Sequence, residues 1–106
     1  MKRIFDRYTV HEFSDEEIVL ELCRRLRLLR QNNGISQGDL AKEADISLST
    51  VKRIESGDIG NMTVLTLLRI LRTTGMLGGV ADLVTEVPSP EYKEDKRPYF
   101  SKRKKQ

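Results

Sequence analysis

Apolar residues recur at helical spacing in separated blocks along the chain, and four of the blocks open on a hydroxyl residue. Ile18, Leu22, Leu26 and Leu29 form one stripe at intervals of three and four. Ser14 precedes it, Glu17 follows three residues later, and Asp15 and Glu16 lie between. A serine N-cap with glutamate at the third helical position makes a capping box, and first-turn acids suit the positive end of the helix dipole. The pattern predicts a first helix that ends at Asn32 to Gly34, residues that tolerate a left-handed closing backbone. Ser36 caps a second helix, Gln37 to about Ala44, with Leu40, Ala41 and Ala44 inward. Ser47 caps a third, Leu48 to about Ser56, with Val51 and Ile54 inward and Gly57 at its close. Thr63 caps a fourth, with Leu65, Leu68, Ile70 and Leu71 apolar and Gly75 as the stop. A fifth, shorter helix is expected from about Met76 to Val84.

The flanks read differently. Ile4, Phe5, Tyr8, Val10 and Phe13 alternate weakly among charges, the pattern of either a short strand or an arm packed on the body. After Glu86 the chain carries three prolines, little apolar content and a charge run, a composition that cannot bury enough surface to order itself. The expectation is an all-α chain: an N-terminal arm over 1–13, a compact five-helix domain over 14–86, and a flexible basic tail over 87–106.

The second and third helices are too short to stand alone, since helices under about 12 residues are marginal in water. Their apolar positions converge only if one helix crosses the other steeply, with small Ala41 at the closest approach, which is a helix-turn-helix arrangement. With Val51 and Ile54 turned inward, the third helix presents Ser47, Leu48, Ser49, Lys52 and Arg53 outward.

Residues 18–84, roughly two thirds of the chain, resemble the Xre-type lambda-repressor/Cro-like helix-turn-helix family through "RLRLLRQNNGISQGDLAKEADISLSTVKRIESG". The segment "LLRILRTTGMLGGVADLV", followed by "VPSPEY" and a basic tail, resembles more narrowly HipB-like antitoxins, which partner HipA-type kinase toxins. One departure is Asp45, where the family usually has glycine; aspartate reaches the left-handed backbone at some strain. The resemblance implies a regulator of transcription that inserts its second motif helix into the major groove of double-stranded DNA. By matching family positions, Leu48, Ser49 and Arg53 fall where base edges are read. Arg53 suits a guanine bidentately, Leu48 a thymine methyl, and Ser49 is permissive. Gln37, Gly38, Ser47, Thr50 and Lys52 are the expected phosphate contacts, Gly38 by allowing close approach. The resemblance also implies an internal salt bridge between Arg30 and Glu55.

A local reading competes at several of these positions. Ser47 caps its helix with or without DNA, and Leu48 can instead be a hydrophobic staple against a neighbouring helix. Met76, Leu77, Val80, Leu83 and Val84 exceed the packing needs of a short terminal helix and are expected to form a homodimer contact on a palindromic operator; the alternative is a lid over the monomer's own core. A protein-binding adaptor with the same fold that does not read DNA is the competing function.

Composition narrows the choice further. The chain has 106 residues, 38% hydrophobic and 6% aromatic, which suits one small helical domain. The net charge is +3, yet residues 88–106 alone hold seven Lys/Arg against three acids, so the remainder is close to neutral. Bulk charge is therefore no argument for nucleic acid, although the tail, with Tyr92, Tyr99 and Phe100 among its charges, suits either a kinase partner or added phosphate contacts. Cys23 and His11 are the single residues of their types, so no internal disulfide and no Cys/His metal cluster is expected. No paired carboxylates, activated nucleophile or phosphate loop stands out, which argues against an enzyme, and no cofactor is expected. Apolar runs fall short of a membrane span and the start lacks an apolar leader, so a cytoplasmic location is expected.

Overall fold

The computed structural model describes residues 3–58, 62–84, 86 and 88. Four α-helices form the body: α1 Asp15–Asn32, α2 Gln37–Ala44, α3 Leu48–Glu55 and α4 Val64–Thr73. A 3₁₀ helix, Leu77–Asp82, follows as the fifth, and a single 3₁₀ turn, Val10–Glu12, lies in the arm. The described residues contain no strand. The fifth helix winds tightly rather than as an α-helix, and Gly78 and Gly79 within it disfavour regular α geometry. Apart from Pro88, the expected tail lies outside the described residues.

Each α-helix starts on the hydroxyl cap expected of it. Ser14 accepts from the Glu17 amide at 3.1 Å while Glu17 accepts from the Ser14 amide at 2.9 Å. Ser36, Ser47 and Thr63 accept from Asp39, Thr50 and Thr66 amides at 3.0, 3.0 and 3.1 Å. The closures repeat as well: residues 34, 45, 57 and 75 have positive φ, and each next amide reaches back to a carbonyl five residues earlier. These are Schellman closures, three on glycine and one on Asp45 at φ 57°, ψ 49°. Arg69 of α4 donates to the Asp45 carbonyl at 3.2 Å, so the non-glycine closure is tied to a neighbouring helix.

Helix α2 packs on both α3 and α4, and α1 packs on α3. The core comprises Cys23, Leu26, Leu40, Ala41, Ala44, Val51, Ile54 and Ile70. The α1 stripe packs inward through Leu22, Leu26 and Leu29, and core contact selects among the remaining apolar residues of α1 and α4. On α1, Val19 and Cys23 take the inward place expected of Ile18, which is half-buried and outside the cluster. On α4, Leu67, Ile70 and Leu71 face inward, while Leu65 is 54% exposed. In both helices apolar residues occupy more than one face, and contact with α2 or α3 selects among them. Asn33 donates to the Leu29 and Thr74 carbonyls at 2.8 and 3.3 Å, joining the ends of α1 and α4.

The arm folds back along α1 as a packed segment, not a strand. Asp6 accepts from the Tyr8 and Thr9 amides at 2.8 and 3.0 Å, which turns the chain and ends any extended run. Arg3 bonds Glu17 at 2.6 Å and the Glu12 carbonyl at 2.8 Å and lies over the Phe13 ring; Arg25 covers Phe5. An open cleft of about 530 Å³ remains between arm and α1.

Candidate nucleic-acid interface

The face offered by α3 follows from its periodicity. Val51 and Ile54 are 1% and 3% exposed and hold the helix to the core. Residues at intervals of three and four from Ser49, namely Lys52, Arg53 and Ser56, then lie on the opposite side, and all are exposed. Leu48 sits at the edge of that face and is 41% exposed, more than a side chain pinned as a staple would be. Ser47 is exposed and its hydroxyl is 2.7 Å from that of Thr50 and 3.2 Å from that of Ser49. Thr50 is half-buried, at the border between the two faces.

The helix is fixed from its far end. Arg30 of α1 donates through Nε and Nη2 to the two oxygens of Glu55, at 2.6 and 3.0 Å, and through Nη1 to the Ile35 carbonyl at 2.8 Å. Gln37 Nε2 of α2 donates to Glu55 Oε1 at 3.0 Å. One carboxylate at the end of α3 is thus gripped by both preceding helices. Arg30 and Glu55 side chains are 12% and 6% exposed, so solvent does little to weaken the pair. Burial pushes the Glu55 carboxyl up, but hydrogen bonds from Arg30 and Gln37, with the charges of Arg30 and Arg27, outweigh it and hold the group below the ordinary glutamate value. The bond to Glu55 leaves Gln37 one amide hydrogen and its carbonyl oxygen. Gly38, beside it, is exposed, and a Cβ there would meet only Ser36 Oγ, at 3.8 Å. Nothing within the described protein requires glycine at that position.

Arg53 extends into solvent with its Nε 3.9 Å from an oxygen of exposed Asp58. Its terminal nitrogens make no hydrogen bond among the described residues, so the planar fork that reads guanine is free. Neither the Asp58 approach nor the Gln37 bond to Glu55 is expected from the sequence: the first depends on the turn after α3 and the second on how α2 crosses α3, and no periodicity records either. Met76, Leu83 and Val84 are 47%, 74% and 81% exposed, whereas Leu77 and Val80 are half-buried. That group lies at the C-terminal end of α4, on different elements from the α3 face.

No cluster of His, Cys, Asp or Glu able to hold a metal ion occurs among the described residues, and no described helix is long and apolar enough to cross a membrane. What the α3 face offers is two cations, hydroxyls and a leucine on a helix of two turns, held rigid from behind, with the Gln37 amide of α2 beside it. This is the chemistry of groove and phosphate contact.

No curated protein and no solved structure matches the chain significantly. A family model described as a helix-turn-helix domain matches residues 21–83, a span that holds α2, α3, α4 and most of α1. With well over half its length matched, the chain belongs to the helix-turn-helix domain family, whose fold points to DNA binding.

Proposed function

We propose that the protein is a sequence-specific repressor of transcription that binds a palindromic operator as a homodimer, with α3 in the major groove. The observation that carries this reading is the exposed Ser49, Lys52 and Arg53 face on a helix whose carboxylate end is locked by Arg30 and Gln37. A reading helix has to be rigid, because discrimination between bases depends on donors held in place before binding. Arg53 reads a guanine through O6 and N7, Leu48 meets a thymine methyl, and Ser49 accepts more than one base. Lys52, Ser47, Thr50, Gln37 and Gly38 line the approach of the backbone phosphates.

A two-turn helix covers only a few base pairs, so a second copy about 34 Å away along the duplex is needed for useful affinity. Exposed Met76, Leu83 and Val84, with half-buried Leu77 and Val80, are the proposed contact between copies. The narrower resemblance to HipB-like antitoxins adds a HipA-type kinase toxin as a second partner and autoregulation of a shared operon. A kinase gene beside this one, and co-purification of the two products, test that extension.

Selection of bound duplexes from a random pool tests the reading as a whole. Enrichment of a two-fold symmetric sequence supports it; recovery of unselected sequences leaves the adaptor role, in which the same fold binds protein.

A further inference from the structure

On the side of the α3 face nearest α1 lies a polar cleft of about 350 Å³, whose walls include Arg27, Gln31, Gln37, Lys52, Glu55 and Ser56. Its charges divide into two groups. Glu55 at its base is satisfied by Arg30 and Gln37, and all three donor nitrogens of Arg30 are occupied, so this pair is internally neutral. Arg27 and Lys52, by contrast, are both exposed and make no hydrogen bond or ion pair among the described residues. They come from different helices, α1 and α3, and leave the cleft with two uncompensated positive charges. Gln37 adds its remaining amide hydrogen, and Ser56 a hydroxyl.

Resting on the DNA-binding reading above, we propose that Arg27 and Lys52 clamp one backbone phosphate of the operator in this cleft, which extends the DNA footprint from the reading helix onto α1. Arg27 and Lys52 line one polar cleft whose only carboxylate, Glu55, is already bonded by Arg30 and Gln37, so the cleft keeps a net positive charge that an added anion stabilises. A phosphodiester fits that requirement: it carries one charge and two free oxygens, one for the guanidinium fork and one for the ammonium. Lys52 belongs both to this cleft and to the outward face of α3, next to Arg53 and one turn from Ser49, so a strand whose bases are read by that face passes the cleft. Arg27 itself carries no base information; it sets register and strength.

The test combines protein and DNA variants. In the full chain, Arg27→Ala flattens the dependence of log Kd on log salt by about 0.9, the slope of one lost phosphate contact, and does so equally on operator and unrelated duplex. A fourfold rise in salt then weakens the variant about 3.5-fold less than the wild type. Arg27→Lys keeps the slope. When operator phosphates are replaced one at a time by neutral methylphosphonate, one position in each half-site weakens the wild type more than it weakens Arg27→Ala, which keeps only the Lys52 half of the clamp. An unchanged slope in Arg27→Ala, or the same methylphosphonate profile for both proteins, overturns the clamp while leaving operator recognition standing. Arg27-dependent binding of millimolar inorganic phosphate by the free chain, unchanged when operator duplex is added, overturns it in favour of a free-anion site. Failure of the wild type to select any duplex removes the parent reading and the clamp with it.

Discussion

Helices α3 and α4 are both short, both capped by a hydroxyl residue and both closed on a glycine, yet their outer faces have opposite chemistry. Each lays its inner face on the same core, through Val51 and Ile54 in one and Ile70 in the other. The outer face of α3 is made of serine, lysine and arginine. On α4 the outer residues include Val64 and Leu65, which are 72% and 54% exposed, and the chain beyond continues with exposed Met76, Leu83 and Val84. A hydroxyl and cationic face is well hydrated and gives up that water for groove edges and phosphates, whereas exposed aliphatic residues gain most by meeting another protein surface. The proposed reading gives DNA to the α3 face and a second copy to the apolar group beyond α4, and changes that touch only one of them should separate the two.

The largest effect falls on the lock behind α3. Glu55→Ala strands the partly buried Arg30 guanidinium and removes the Gln37 acceptor, and is expected to destabilise the fold by about 3 kcal/mol, measured by urea unfolding. A loss under 1 kcal/mol would mean that α3 stands without the lock. Acid weakens the lock together with the Glu21 pairs on α1. Glu55 is held below the ordinary glutamate value, and Glu21, hydrogen-bonded by Arg24 and Arg25, is lowered to about 2. Such groups contribute stability that is fully present above their unfolded value near 4.5 and lost as pH falls through the folded values. Thermal unfolding should be flat above about pH 5 and decline from there toward pH 2, and the decline should shrink in a Glu21→Gln, Glu55→Gln double variant.

On the other face, Leu83→Asp with Val84→Asp should convert a dimer to a monomer in ultracentrifugation, weaken operator binding and leave thermal stability nearly unchanged, since both side chains are exposed. A wild-type chain that sediments as a monomer at high micromolar concentration would remove the dimer contact. The smallest effect on binding is expected at Gly38, which has no left-handed φ and where an added Cβ would meet only Ser36 Oγ, at 3.8 Å. Gly38→Ala should stabilise the protein by about 0.5–1 kcal/mol, as expected for glycine replaced within a helix. If a phosphate approaches there, the same change weakens DNA binding. Gain of stability with unaltered affinity would place the backbone elsewhere.

The features legible in the sequence are those encoded locally. Ser14, Ser36, Ser47 and Thr63 announce helix starts by residue type and spacing alone, and Val51 and Ile54 declare the inner face of α3 because the alternative faces are polar. Where a helix is apolar on several sides the signal fails: Leu65 and Leu67 are chemically equivalent, and only the position of α2 decides which is buried. Long-range polar contacts are illegible for the same reason. The bond from Gln37 to Glu55 and that from Arg69 to the Asp45 carbonyl span 18 and 24 residues. Neither has a periodic signature, whereas the pairing of Arg30 with Glu55 entered the sequence reading only through resemblance. Asp45 shows the intermediate case, in which the departure from glycine is visible in sequence but the contact that accompanies it is not.

The most direct measurement is the base preference of wild-type protein beside that of Arg53→Ala, each selected from the same random duplex pool. A symmetric site is expected for the wild type, in which Arg53→Ala loses preference for one guanine in each half, by about 1–3 kcal/mol of discrimination, while the other positions and the fold are retained. Identical preferences for the two proteins, or none for either, would contradict it.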